Sequence, residues 1–159
     1  MFSLYKRSGN QRARQQKCPR KTVLEIHTEM FADGVIPLVE KGVINGAGKA
    51  IDAGRMVATF LLGSKQLYDY TQRNDGVRMM DVGYTNDPFI IAKNPKVTAI
   101  NTALQVDLTG QICADSLGTT FYSGVGGQID FFYGASRSRG GKAIIAMPSV
   151  TGKGISKIA

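Results

Sequence analysis

Three glycines in four positions, Gly124, Gly126 and Gly127, make residues 123–131 the stretch of this sequence best suited to hold another molecule. Glycine lets a foreign group approach the backbone closely. Strand-like sequence over 118–122 leads in, and a helix-compatible run over 128–137 leads out. A turn of this kind at the start of a helix points unpaired N–H groups outward, which suits an anion or a developing oxyanion. A tight strand-to-helix connection has the same composition, so both readings stand at this level. The glycine spacing is not that of a Rossmann fingerprint, and no Gly-Lys-Ser/Thr follows as in a Walker loop.

Glu29 closes a short alternating segment, Thr22-Val23-Leu24-Glu25-Ile26-His27-Thr28. A carboxylate there can act as a nucleophile or general base, or simply be a solvated strand end. Asn86 sits in Gly83-Tyr84-Thr85-Asn86-Asp87-Pro88, where the ordinary role is that of a turn or cap residue. His27, the only histidine, is expected to pack or hydrogen-bond on its strand rather than to catalyse. One histidine, two widely spaced cysteines and no acidic cluster argue against a metal centre. No Gly-x-Ser-x-Gly elbow supports a serine triad.

The elements that must position these groups alternate between β-branched runs and short helical stretches. Strands are predicted over 22–28, 56–62, 77–82, 97–101, 103–108, 111–116 and 142–147. Helices are predicted over 34–41, 64–74, 88–93 and 128–137, with Ser64 capping the second and Asn86 or Asp87 capping the third. Thr109-Gly110 signals a hairpin. The fold class is α/β: an open mixed sheet with short helices on its faces. In such sheets the ligand lies at the carboxyl ends of the strands. Glu29, Asn86 and the glycine loop all follow strands, so they are expected to converge on one crevice.

The formal charge is +8 over 159 residues, and its placement matters more than its size. Lys6, Arg7, Arg12, Arg14, Lys17, Arg20 and Lys21 precede the first acid, Glu25, and the remainder is nearly neutral. Residues 1–21 therefore read as a basic leader, disordered or foreign to the rest, and 22–159 as the folded part. No aromatic platform accompanies the leader as single-strand binding would want, so a nucleic-acid partner is not expected. With no apolar run long enough to span a bilayer and no signal peptide, a cytoplasmic, non-membrane protein is expected. Cys113 is expected to be a buried thiol.

Four segments together carry a resemblance: His27-Thr28-Glu29-Met30-Phe31-Ala32-Asp33-Gly34, Gly83 to Pro88, Asn101-Thr102-Ala103-Leu104-Gln105-Val106-Asp107-Leu108-Thr109-Gly110-Gln111, and residues 123–131. In this order they resemble the acetyl-CoA hydrolase/transferase family of class I CoA-transferases, with most likeness to its 4-hydroxybutyrate CoA-transferase branch. The resemblance implies a CoA-transferase-like fold of two related α/β domains, with 22–159 an incomplete C-terminal domain. It implies that Glu29 attacks an acyl-CoA and carries CoA as a glutamyl thioester, and that Asn86 orients it. Gly124, Gly126 and Gly127 correspond to the CoA-binding loop, and Ser123 and Lys153 fall at CoA contacts. Coenzyme A is then the substrate and carrier, with an acyl-CoA and a small carboxylate (acetate, butyrate or 4-hydroxybutyrate) as partners.

Family members are longer than this chain, and residues 4–14 do not resemble the segment that precedes their glutamate. Gln105 also stands where many relatives carry an acid. A truncated polypeptide with little turnover alone is therefore expected, and apolar surface left uncovered would favour self-association. Acetyl-CoA hydrolase activity and a non-catalytic CoA-binding fragment are the alternative functions.

Overall fold

The computed structural model describes residues 2–5 and 24–159. The chain begins with β1 (Phe2–Tyr5), β2 (His27–Phe31), α1 (Ile36–Glu40), β3 (Met56–Leu61), α2 (Lys65–Gln72) and β4 (Val77–Met79). Next come α3 (Val82–Thr85), α4 (Pro88–Lys93) and β5 (Val97–Asn101). Two small hairpins follow, β6–β7 (Gln105–Val106, Ile112–Cys113) and β8–β9 (Ser116–Leu117, Thr120–Phe121). The last elements are α5 (Gln128–Arg137) and β10 (Lys142–Ile145).

This is the mixed α/β arrangement that the pattern predicts, but its longer strands divide between two three-stranded sheets. In the order β2-β3-β4 all strands are parallel, with His27 opposite Val57 and Met56 opposite Val77. In the order β1-β5-β10 the central β5 pairs antiparallel with β1 and parallel with β10. Parallel neighbours need crossover connections, which α1 and α2 supply in the first sheet. Met56, Val57 and Ala58 are buried, as befits a strand covered on both faces, whereas Phe60 is 43% exposed. Phe31, Ile36 and Leu67 pack into this core, and Ile91, Val97, Ala99, Phe131 and Ala135 form a second one between α4, α5 and β5.

Local polar groups explain where the elements depart from expectation. The strand expected over 77–82 stops at Met79 because the Asp81 carboxylate accepts the Tyr84 N–H and opens α3. The strands expected over 103–108 and 111–116 shrink to two-residue ladders. The turn between them is closed by Asp107 Oδ1, which accepts the N–H groups of Thr109 and Gln111. Ser64 precedes α2 but does not cap it; its hydroxyl donates to Asp33 at 2.8 Å. β10 is not buried: it is an outer strand, with Lys142, Ala143 and Ile144 exposed. Cys113 is half-buried, its thiol donating to the Ser116 carbonyl at 2.9 Å. Most of the basic leader, Cys18 included, lies outside the described residues; within it, residues 2–5 form β1.

α4 and α5 approach closely at Gly134, where an added Cβ would stand 2.7 Å from the Ile91 Cβ and 3.0 Å from the Pro88 carbonyl oxygen. In an open helix, alanine is favoured over glycine by about 1 kcal/mol. Here overpacking against a β-branched side chain and a backbone atom outweighs that gain. Gly134→Ala is expected to lower stability by about 1–2 kcal/mol in urea melts.

Candidate active site

Glu29 is half-buried on β2, the strand at one side of the parallel sheet. Asn86 is the residue between α3 and α4. Its N–H donates to the Val82 carbonyl at 2.9 Å, and the next residue, Asp87, caps α4 by accepting the Phe89 N–H at 2.8 Å, with Pro88 in the first turn. Two short helices thus fix the backbone on either side and leave the Asn86 side chain free to reach out. Its Nδ2 donates to Glu29 Oε2 at 3.0 Å. Among the described residues Asn86 is the hydrogen-bond partner of the carboxylate, so one oxygen is held and Oε1 is not. Asn86 Oδ1 is buried without a partner among the described residues.

Gly127 closes the arrangement. A Cβ on it would collide with both Asn86 Nδ2 and Glu29 Oε2. Only glycine lets the start of α5 lie against this pair, and the first N–H groups of a helix have no intrahelical acceptor. Gly124 and Gly126 differ: a Cβ on either would meet nothing within 4 Å, and neither has a positive φ. Packing within the described residues does not require glycine at these two exposed positions. Ser123, also exposed, is anchored through its N–H to the Asp115 carbonyl at 3.1 Å.

A cleft of about 470 Å³ runs past Glu29 and the loop from Ser123 to Ile129. Met30, Phe60, Ile112 and Ile129 give it apolar lining, and Asn101 and Asp115 polar lining. Asn101 Nδ2 donates to Gln128 Oε1 at 2.8 Å, tying the end of β5 to the start of α5. Sequence reasoning missed Asn101 and Gln128. Both stand at ends of predicted elements that face the predicted crevice, which is the signal that finds them. Lys153 is exposed on the turn where the Gly154 N–H meets the Thr151 carbonyl, and it is not among the residues lining the cleft. No group of three metal-ligating side chains occurs among the described residues.

His27 is fully buried, and its Nε2 lies 2.8 Å from the Thr85 carbonyl oxygen. Its ring lies beside Tyr84 and meets Phe131 edge-on, with centroids 6.4 and 6.2 Å away. Burial pushes its pKa down to about 4; the Thr85 hydrogen bond and Asp52 oppose that, and Lys49 adds to it. Nearby, Asp52 accepts from Arg78 Nη1 at 2.5 Å and from the Tyr84 hydroxyl at 2.8 Å. Burial acts to raise the Asp52 pKa, but these donors and Lys49 outweigh it and hold the carboxyl below its ordinary value. Lys49 is itself buried, its Nζ donating to the Ile26 and Arg55 carbonyls, and burial lowers its pKa to about 8.

Known proteins resemble this chain in sequence and fold. Residues 63–159 match the acetyl-CoA hydrolase/transferase C-terminal domain. The 4-hydroxybutyrate coenzyme A transferase of Clostridium kluyveri is 52% identical over 134 residues, which are 84% of this chain and 31% of that protein. The succinyl-CoA:acetate/propanoyl-CoA:succinate CoA transferase of Fasciola hepatica is 48% identical over 137 residues, 85% of this chain and 29% of that protein. The crystal structure of RipA from Yersinia pestis superposes with a TM-score of 0.77 at 42% identity, covering 83% of this chain and 30% of RipA. The chain therefore spans less than a third of the length of these curated relatives.

Two outcomes are expected. Gly127→Ala meets the mobile ends of two side chains rather than backbone, so it is expected to cost less than about 1 kcal/mol of stability. It should nevertheless break the Glu29–Asn86 hydrogen bond, visible as a shift of the Asn86 side-chain amide signals in NMR spectra. For His27, the folded pKa of about 4 lies below the unfolded value of 6.5. The unfolded chain then binds the extra proton between these values. The His27 contribution is full above pH 6.5 and is lost as pH falls toward 4, by up to about 3 kcal/mol. Urea melts across this range should show that slope, and His27→Gln should flatten it.

Proposed function

Given that the chain belongs to the acetyl-CoA hydrolase/transferase family, we propose that its cleft moves coenzyme A from an acyl-CoA to a small carboxylate, with Glu29 as the covalent carrier. The observation that carries this reading is the Glu29 carboxylate held at one oxygen by Asn86 and set against Gly127 at the start of α5. A carboxylate is a weak nucleophile, but it is already deprotonated and needs no base.

In this reading Glu29 Oε1 attacks the thioester carbonyl carbon, and the resulting oxyanion is met by N–H groups at the start of α5. The C–S bond breaks, CoA leaves as thiolate, and an acyl-glutamyl anhydride remains. The thiolate then adds to the glutamyl carbonyl and expels the acyl group as a carboxylate, leaving a glutamyl-CoA thioester. A second carboxylate reverses these steps and takes the CoA; water in its place gives hydrolysis. Asn86 fixes the attacking group throughout. Gly124 and Gly126, which this chain's own packing does not require, leave room beside Ser123 for the pantetheine arm. Lys153 is an exposed point charge suited to the distal phosphates. The relatives' names span 4-hydroxybutyrate, succinate, acetate and propanoyl substrates, and a short aliphatic acyl group suits the apolar lining of Met30, Phe60 and Ile112.

The test is incubation with acetyl-CoA or butyryl-CoA, borohydride reduction, and intact-mass and peptide analysis. Reduction of a glutamyl thioester to the alcohol is expected as a small mass loss at Glu29, absent in Glu29→Gln. Asn86→Ala should slow loading by roughly a hundredfold. Modification at another carboxylate, or undiminished thioester loss in Glu29→Gln, overturns the assignment. Loss of thioester that needs no acetate moves the reading to hydrolase.

A further inference from the structure

We infer that His27 is a positioning residue for the Glu29–Asn86 pair, acting as a neutral hydrogen-bond donor that fixes the end of α3 against β2. The inference rests on the reading of Glu29 and Asn86 given above. His27 lies two positions before Glu29 on β2, and its Nε2 partner, the Thr85 carbonyl, belongs to the residue just before Asn86. The two long-range bonds are therefore near neighbours. His27 to Thr85 at 2.8 Å and Asn86 to Glu29 at 3.0 Å join the same strand to the same helix end. The third wall of the imidazole is Phe131 on α5, the helix whose start bears Gly127. One buried ring thus touches all three elements that build the site.

The hydrogen bond also fixes the tautomer. A carbonyl oxygen only accepts, so Nε2 carries the proton. Nδ1 is then a bare lone pair, buried and unpartnered among the described residues. An unsatisfied buried acceptor costs stability. A hydrophobic filler would meet Tyr84 and Phe131 equally well, but it would not hold Thr85. The Tyr84 hydroxyl bond to Asp52 at 2.8 Å braces the same short helix from its other side.

The experiment uses the full chain and two variants, His27→Phe, which keeps an aromatic ring, and His27→Gln, whose Nε2 reaches as far as that of histidine. The main readout is hydrogen exchange of the Asn86 side-chain amide, followed by NMR on asparagine-labelled protein. The buried Asn94 side chain serves as the internal control. In His27→Phe the Asn86 amide is expected to exchange roughly 3- to 10-fold faster, the worth of one hydrogen bond, while Asn94 is unchanged. His27→Gln should restore the slow rate. Equal acceleration of both asparagines, no change at Asn86, or a glutamine variant that behaves like phenylalanine overturns the inference. A histidine-labelled spectrum of the unmodified chain decides the question even where a variant fails to fold: a proton on Nε2 supports the inference and a proton on Nδ1 overturns it. Where Glu29 is loaded by acyl-CoA, His27→Phe should slow loading at saturation by roughly 10- to 100-fold with CoA affinity unchanged. Failure of Glu29 to load at all counts against the transfer reading alone, because amide exchange and tautomer are read without turnover.

Discussion

A carboxylate oxygen, a side-chain amide and a glycine with no room for a Cβ meet at one point, and each comes from a different element. The rest of the described structure exists around that constraint. β2 must present Glu29 from its middle, α3 and α4 must break at Asn86, and α5 must begin close enough that Gly127, just before its first residue, lies against both. A displacement of about 1 Å in any one of these is enough to spoil a reaction geometry. The two cores supply the rigidity: one holds β2 within its sheet, and the other holds α4, α5 and β5 together.

Around the pair, stability and placement are traded against each other. Fully apolar packing would be the more stable choice at several nearby positions. Instead there is a buried neutral imidazole, a buried lysine held by two carbonyls, and an aspartate at φ +52° shared between Arg78 and Tyr84. Asp52 binds the loop before β3 to the short helix α3 through Tyr84, and His27 binds β2 to the same helix through Thr85; α3 has too few residues to hold its own direction.

Much of the site was legible in the sequence because its signals are local. Asp87-Pro88 caps and opens α4, and the glycines precede an apolar helical period that becomes α5; the strand expected over 22–28 with Glu29 past its end is found shifted, as β2 over His27–Phe31 with Glu29 inside it. What was not legible depends on partners far along the chain. The expected strand over 77–82 fails because Asp81 finds the Tyr84 N–H, a competition between cap and ladder that composition alone does not decide. β10 reads as a buried strand from its residues but stands at the border of a sheet, which is a property of strand order rather than of sequence. Lys153 reads as a site residue by resemblance yet lies outside the cleft lining. His27 reads as a residue that packs or hydrogen-bonds on its strand, but that its acceptor is the neighbour of Asn86 is visible only in the structure.

The spacing of these contacts along the chain sets an order of assembly. The Asn86–Glu29 bond spans 57 positions, and α5 lies further on still. During synthesis Glu29 emerges from the ribosome first, then Asn86, and Gly127 only much later. The parallel sheet β2-β3-β4 is complete at Met79, so its core can begin to form on the nascent polypeptide while the carboxylate is still bathed in water. Contacts of such long range close slowly. The crevice therefore matures after the sheet that carries its carboxylate, and a chain released before α5 is translated would hold Glu29 through Asn86 alone, with the Gly127 side of the crevice open.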